Sequence, residues 1–347
     1  MAKTALLTVK NVIKETADAI SLVFDIPQDK KDNFSFEAGQ YITIHKTLDG
    51  KALKRAYSLC TAPYENKLQV VIKRIEGGTF SVYATEKIQA EDTFEIGFPE
   101  GRFSLPTDET NNKHYLGFAA GSGITPIYSM IKAVLHEEPK SKFTLLYGNK
   151  SPENTIFYKE LNALAASNPN FSIQYVFSKT NEANALFGRI DASIVKLMLN
   201  RNNYDSFYIC GPEAMTNIIK NTLSERNVAS EDIHYELFSS KTENDDEQAK
   251  TAISGEVKLT ILLDDDTETI TMNSKDTLLK AALDNDIDAP YSCQGGICSS
   301  CIGRVTEGKV HMLKNEILTE NEIAVGLCLT CQAVPETSEV TIDFDNI

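Results

Sequence analysis

The segment YSCQGGICSSC, residues 291–301, sets three cysteines within nine positions, and GLCLTCQ, residues 326–332, adds two more. Thiols clustered in this way point to a metal centre, and two pairings are open. Cys298 and Cys301 with Cys328 and Cys331 form CxxC…CxxC, which ordinarily reads as a structural zinc site and strands Cys293. Cys293, Cys298 and Cys301 instead form Cys-x4-Cys-x2-Cys, the spacing of a [2Fe-2S] loop with a distant fourth ligand, and strand either Cys328 or Cys331. Gly295 and Gly296 favour the second pairing, because a loop around a cluster must turn tightly and aim backbone N–H groups at sulfur. The gap between the two CxxC segments, longer than in common zinc ribbons, points the same way.

The chain has 347 residues, more than one hydrophobic core usually serves, which predicts two or three domains. Its start, MAKTALLTVKNVIKE, lacks the apolar stretch and cleavage site of a signal peptide, and no run is long enough to span a membrane. The expected location is therefore the cytoplasm, without membrane attachment. Its seven cysteines would stay reduced there, which favours metal or redox chemistry over a disulfide framework. The formal charge is -15, of which residues 241–347, with 21 acids and 8 bases, contribute 8 − 21 = -13. So acidic a chain argues against nucleic-acid binding, where basic patches supply most of the affinity.

Three segments follow from periodicity. Over residues 1–107, short β-rich runs (YITIHKTL, RAYSLCTA, LQVVIKRI, TFEIGF) alternate with turns, as in an antiparallel barrel or sandwich. Over 108–239, apolar strands (HYLGFAA, FTLLYGN, FSIQYVFS, SFYICG) alternate with helical stretches (PIYSMIKAVLHE, TIFYKELNALAAS, DASIVKLMLN, EAMTNIIKNTLSE), which predicts an α/β doubly wound parallel sheet. Residues 240–254, beginning SKTENDDEQAKTA, read as an exposed linker. From 255 to 347 a hairpin, VKLTILLDDDTETITM, and a helix, TLLKAALDND, precede the cysteines.

In HYLGFAAGSGITPIYSM an apolar strand runs through Gly121-Ser122-Gly123 into a helix expected to open at Pro126, a favourable first helical residue. Glycines let a phosphate approach the backbone, and the helix N-terminus offers unpaired N–H groups. Two glycines alone serve an ordinary tight turn equally well, since the third glycine of the Rossmann fingerprint is missing. Cys210, Gly211 and Pro212, at the carboxyl end of a later strand, raise the odds, because open α/β sheets bind ligands at that edge.

GSGITP followed by CGPEAM resembles the ferredoxin-NADP reductase superfamily. The resemblance implies that Gly121, Gly123, Thr125 and Pro126 lie along the nicotinamide nucleotide, with Cys210, Gly211 and Pro212 near its ring. Arg55-Ala56-Tyr57-Ser58 matches the family's flavin signature: a guanidinium for phosphate, an aromatic ring for the isoalloxazine and a hydroxyl for the flavin edge. Gly78-Thr79-Phe80-Ser81 matches its phosphate-cradling turn, and AGQYITI, residues 38–44, its barrel strand. FAD is the implied flavin, with FMN the alternative. Phe238, or else Tyr235, stands where an aromatic covers the flavin in the family. Ser178-Lys179 stands where relatives read the 2′-phosphate, which implies NADPH ahead of NADH.

The tail resembles a plant-type ferredoxin, an α+β (β-grasp) domain whose fourth cysteine falls in a segment matched by LTCQA, so the implied ligands are Cys293, Cys298, Cys301 and Cys331. The implied whole is an antiparallel β-barrel flavin domain, an α/β nucleotide domain and a [2Fe-2S] domain in one reductase. Ser58, Cys210 and Phe238 are its catalytic candidates. The order of parts is most like reductases of the phenylacetyl-CoA epoxidase type, which implies a di-iron oxygenase as electron acceptor; the reductase of another multicomponent oxygenase, built from the same parts, is the alternative. A zinc-bound interaction module without electron transfer is the reading from another class.

Overall fold

A computed structural model describes residues 4–48, 50–238 and 255–347, so the expected linker at 240–254 lies outside the described residues. The chain divides into two compact units after Phe238.

The first unit opens with β1 (Thr4–Thr16) and β2 (Ala19–Asp25), two strands not announced by the turn-bounded runs further on. They join β3 (Tyr41–Leu48), β4 (Lys51–Ser58), β5 (Leu68–Lys73) and β6 (Thr93–Gly97) in an antiparallel sheet of order β4-β3-β6-β1-β2-β5. The chain leaving β4 closes this sheet towards β5: Leu59 bridges Val70, and the Cys60 N–H donates to Gln69 O at 2.9 Å. Alternation of the side chains sends Leu7, Val9, Leu22, Ile44, Val70 and Ile96 into one core, which seals the barrel. Helix α1 (Thr79–Lys87) follows β5, with Gly78 at its N-cap.

A second sheet in the same unit is wholly parallel. Its strands are β7 (His114–Ala120), β8 (Lys142–Asn149), β9 (Phe171–Phe177), β10 (Ala185–Phe187), β11 (Ser206–Gly211) and β12 (Ile233–Leu237), in the order β10-β9-β8-β7-β11-β12. Helices α2 (Ile124–Glu137) and α3 (Tyr158–Ser167) pack Ile127, Met130 and Leu161 on one face. Helices α4 (Ala192–Leu199) and α5 (Glu213–Ser224) pack Val195, Met198 and Ile219 on the other. The strand order reverses between β7 and β11, and it is outside the carboxyl ends at such a reversal that these sheets bind ligands.

Two helix starts differ from expectation. Helix α2 begins at Ile124, so Pro126 is its third residue, tolerated because first-turn N–H groups lack intrahelical acceptors in any case. Helix α3 begins at Tyr158 rather than at Thr155, because Phe157 adopts φ 59°, outside the helical range.

The second unit is α+β. The hairpin of β13 (Glu256–Leu263) and β14 (Asp266–Asn273) turns through Asp264 and Asp265, at φ 54° and 66°, the paired left-handed residues of a two-residue hairpin loop. Helix α6 (Leu278–Asp284) buries Leu278, Leu279 and Ala282 in the core of the mixed sheet. After the cysteine loop come β15 (Ile302–Glu307), β16 (Val310–Met312), α7 (Glu320–Ala324), β17 (Leu327–Leu329), β18 (Ala333–Pro335) and β19 (Glu339–Asp343). The sheet order is β14-β13-β19-β15-β17, and β16 pairs with β18. The last strand thus lies between β13 and β15, parallel to the former.

Candidate redox site

Arg55, Ala56, Tyr57 and Ser58 end β4 beside β3, with Tyr41 opposite Ser58. Arg55 donates to the Lys54 carbonyl at 2.8 Å and forms no ion pair among the described residues, so its charge is available to a phosphate. The Tyr57 ring lies 5.9 Å from that of Phe80, which joins this strand to the Gly78–Ser81 turn. In that turn the Ser81 hydroxyl accepts from Ile75 N at 3.1 Å, and a Cβ at Gly78 would come within 2.6 Å of Ser81 Oγ. Thr79 starts α1, and Phe80 and Ser81 are buried beneath it.

Ser58 reaches across to the parallel sheet: its hydroxyl donates to Glu236 Oε2 at 3.3 Å. Glu236, 8% exposed, sits on β12 directly beside Cys210 of β11. Burial first, and then the Glu236 carboxylate, push the Cys210 thiol well above its ordinary range, so it stays protonated. Cys210 in turn touches the glycine turn, since a Cβ at Gly123 would lie 2.1 Å from Cys210 O. Gly121 has φ 55° and offers its carbonyl to Tyr147 Oη at 2.9 Å. Thr125 donates to Ser122 O at 3.0 Å, so its hydroxyl is engaged within the turn, and Pro126 is buried in α2. A Cβ at Gly211 would press on Ala120, with Cβ at 3.2 Å and N at 3.3 Å, and displace the flexible end of Met215, and Pro212 caps α5.

Phe238 follows β12 two residues beyond Glu236 and is 37% exposed, whereas the ring of Tyr235 lies under Lys220 Nζ at 3.7 Å. Ser178 and Lys179 stand apart from this group. They follow β9, two strands from β7 and so about 10 Å along the sheet edge, where Ser178 N and Lys179 N bond the carbonyls of Asn149 and Lys150.

In the second unit Cys293, Cys298 and Cys301 lie in the loop before β15. The Cys298 thiol donates to Cys293, and with the Gly295, Ile297 and Cys298 N–H groups it lowers Cys293 to about 6. The Cys301 thiol donates likewise to Cys331, which the Gly296 N–H also faces, and Cys331 is lowered. Gly296 is indispensable to this loop: its φ is 73°, and a Cβ would lie 2.8 Å from Lys314 O. Cys328 sits elsewhere, in β17 opposite Gly303, 1% exposed and pushed up to about 12, chiefly by burial. Among the described residues no three His, Cys, Asp or Glu side chains gather as a single-ion site. The three thiols of the loop and that of Cys331 stand in two pairs, Cys293 with Cys298 and Cys301 with Cys331, which suits a group whose two irons each take two thiolates.

Two residues absent from the sequence reading belong to this geometry. Glu236 joins Ser58 to Cys210, and its only signal in the sequence is a carboxylate inside the apolar strand run IHYELF. Lys73, at the end of β5, places Nζ 3.7 Å from Asp18 and 3.9 Å from where a Gly121 Cβ would lie.

Comparison with known proteins finds a family model over each of the three segments of the chain. Residues 6–105 match the oxidoreductase FAD-binding domain family, 118–221 the oxidoreductase NAD-binding domain family, and 261–336 the 2Fe-2S iron-sulfur cluster binding domain family. A 1,2-phenylacetyl-CoA epoxidase subunit from Escherichia coli (strain K12) is 37% identical over 346 residues, covering 98% of this chain and 97% of its own. The ferredoxin reductase component of 3-ketosteroid-9-alpha-monooxygenase from Rhodococcus rhodochrous is 31% identical over 355 residues, 99% and 97% of the two chains. The solved structure of phthalate dioxygenase reductase has the same fold, with a TM-score of 0.64 at 22% identity over 98% of both chains. No helix among the described residues is long and apolar enough to cross a membrane. With FAD-binding, NAD-binding and 2Fe-2S domains on one polypeptide and relatives of this closeness over its whole length, the chain belongs to the oxygenase-reductase branch of the ferredoxin-NADP reductase superfamily, the NAD(P)H-dependent oxidoreductases that serve oxygenases.

Proposed function

We propose that this chain is the cytoplasmic reductase of a phenylacetyl-CoA epoxidase type system, carrying electrons from NADPH to a di-iron oxygenase. We assign 1–107 to flavin binding, 108–239 to nucleotide binding and 255–347 to the iron-sulfur domain, with 240–254 as the linker. The observation that carries the reading is the unbroken run of contacts from Phe80 through Tyr57, Ser58 and Glu236 to Cys210, which couples the flavin motif to the nucleotide motif.

Bound FAD supplies the exchange between two-electron and one-electron chemistry, and the [2Fe-2S] group supplies a one-electron outlet. The protein's own part is positioning. Arg55 and the N-terminus of α1 hold flavin phosphates, and Tyr57 backs the ring system. Glu236 fixes the rotamer of the Ser58 hydroxyl at the flavin edge, and Cys210 presents a neutral thiol where the nicotinamide docks. Phe238, exposed at the strand end, would cover the flavin face when FAD is bound. Gly121, Gly123, Thr125, Pro126, Gly211 and Pro212 shape the groove for the nucleotide, with Lys73 as a further cation for its phosphates. Ser178 and Lys179 read the 2′-phosphate, which favours NADPH. Cys293, Cys298, Cys301 and Cys331 hold the iron.

Two assays test this reading. Reconstitution with the oxygenase components of a phenylacetyl-CoA epoxidase should give nucleotide oxidation dependent on phenylacetyl-CoA. Uncoupled oxidation at the same rate with and without that substrate would refute the acceptor. Second, kcat/KM should be higher for NADPH than for NADH, and Lys179→Ala should narrow the difference. An NADH preference untouched by Lys179→Ala would overturn the assignment.

A further inference from the structure

Ser292 immediately precedes Cys293 and is 2% exposed. Its Oγ is buried and finds no hydrogen-bond partner among the described residues. A hydroxyl kept from water without an acceptor forfeits its hydration with nothing in return, so a folded chain seldom leaves one unmatched. Of the five such side-chain atoms among the described residues, on Asn149, Thr180, Thr216, Ser274 and Ser292, only that of Ser292 adjoins a cysteine of the loop.

The surroundings of Cys293 are made for negative sulfur. The Gly295 N–H points at its Sγ from 3.4 Å, and the Ile297 and Cys298 N–H groups face the same atom. The loop therefore supplies donors, and the hydroxyl of Ser292 is a donor without an acceptor from the chain.

We propose that Ser292 donates a hydrogen bond to a sulfur of the [2Fe-2S] group and thereby raises its reduction potential, an inference that rests on the iron-sulfur reading above. Reduction adds one electron and makes the sulfurs more negative. A buried O–H donor consequently stabilises the reduced form more than the oxidised one. A higher potential favours residence of the electron on the group, and removal of the hydroxyl would shift the balance back.

The test uses the full chain purified with its iron. Iron and acid-labile sulfide are measured first, then the midpoint potential by redox titration followed by electron paramagnetic resonance. Exchangeable protons coupled to the reduced cluster are counted by deuterium-exchange ENDOR. Ser292→Ala is expected to keep its iron, lose one coupled exchangeable proton, and change the ratio of reduced to oxidised cluster tenfold at fixed potential. That ratio corresponds to a fall of about 59 mV for a one-electron couple. The isosteric pair Ser292→Thr and Ser292→Val repeats the comparison should alanine loosen the loop: threonine should match the wild type, and valine should fall as alanine does. Equal potentials and equal proton couplings with and without the hydroxyl overturn the proposal while leaving the iron-sulfur reading intact. A wild type without iron and sulfide overturns both.

Discussion

Replacing Gly123 by alanine tests whether the approach of the glycine turn to the end of β11 positions the nucleotide. A Cβ there would lie 2.1 Å from Cys210 O, 2.5 Å from Cys210 C and 2.9 Å from Gly211 N. Ordinary contact begins at 3.4 Å, so turn and strand end must part by about 3.4 − 2.1 = 1.3 Å. The obstacle is backbone, which cannot rotate aside as a side chain can. The φ of Gly123 is -61°, a value that alanine adopts freely, so the perturbation is steric and not conformational. A misplacement of about 1 Å in a reacting geometry costs roughly 100-fold, or about 2.7 kcal/mol. Overpacking of this kind lowers stability by about 1–3 kcal/mol. We therefore expect kcat/KM for NADPH, read with ferricyanide, to fall about 100-fold while flavin and iron contents are retained. Gly121→Ala is the control. It carries left-handed strain at φ 55°, worth about 1–2 kcal/mol, yet its Cβ would meet only Lys73 Nζ at 3.9 Å, so its kinetic effect should be much smaller. Wild-type kcat/KM in Gly123→Ala, or equal losses in the two variants, would refute the reasoning.

Further outcomes can be checked on single variants. Cys328→Ser should retain iron and acid-labile sulfide and lose about 1–3 kcal/mol of stability from burying a hydroxyl, whereas Cys331→Ser should lose the cluster; the reverse pattern in metal analysis would sink the ligand assignment. Burial pushes the Cys60 thiol up to about 12 from an ordinary value near 9. An unfolded thiol sheds its proton above pH 9 while the folded one keeps it, so this stabilisation is complete below pH 9 and is lost as pH rises towards 12, up to about 4 kcal/mol. Cys60→Ala should accordingly flatten the alkaline fall in Tm between pH 9 and 11, and parallel slopes in variant and wild type would count against it.

What the sequence determined about this protein is local. The β-rich runs separated by turns over 1–107 and the strand–helix alternation from HYLGFAA to EAMTNIIKNTLSE prescribe an antiparallel barrel and a doubly wound sheet, because such runs bury their apolar residues as strands or helices. RAYS, GTFS, GSGITP and the cysteine loop stand out in the sequence for the same reason, since each motif is a few consecutive residues. Strands β1 and β2 were not read from the sequence; they pair with each other as a hairpin and take their places in the sheet from β6 and β5, which lie far along the chain. Only the tertiary structure brought Glu236 to Ser58, 178 residues away, because the contact depends on how a barrel strand and a parallel strand end pack together. It also parted two cysteines three positions from each other, holding Cys328 in β17 against β15 and turning Cys331 to Cys301. Spacing cannot tell such neighbours apart. A strand buries one thiol in an apolar layer, and the turn after it carries the next towards Cys301, so their surroundings differ because β17 ends between them.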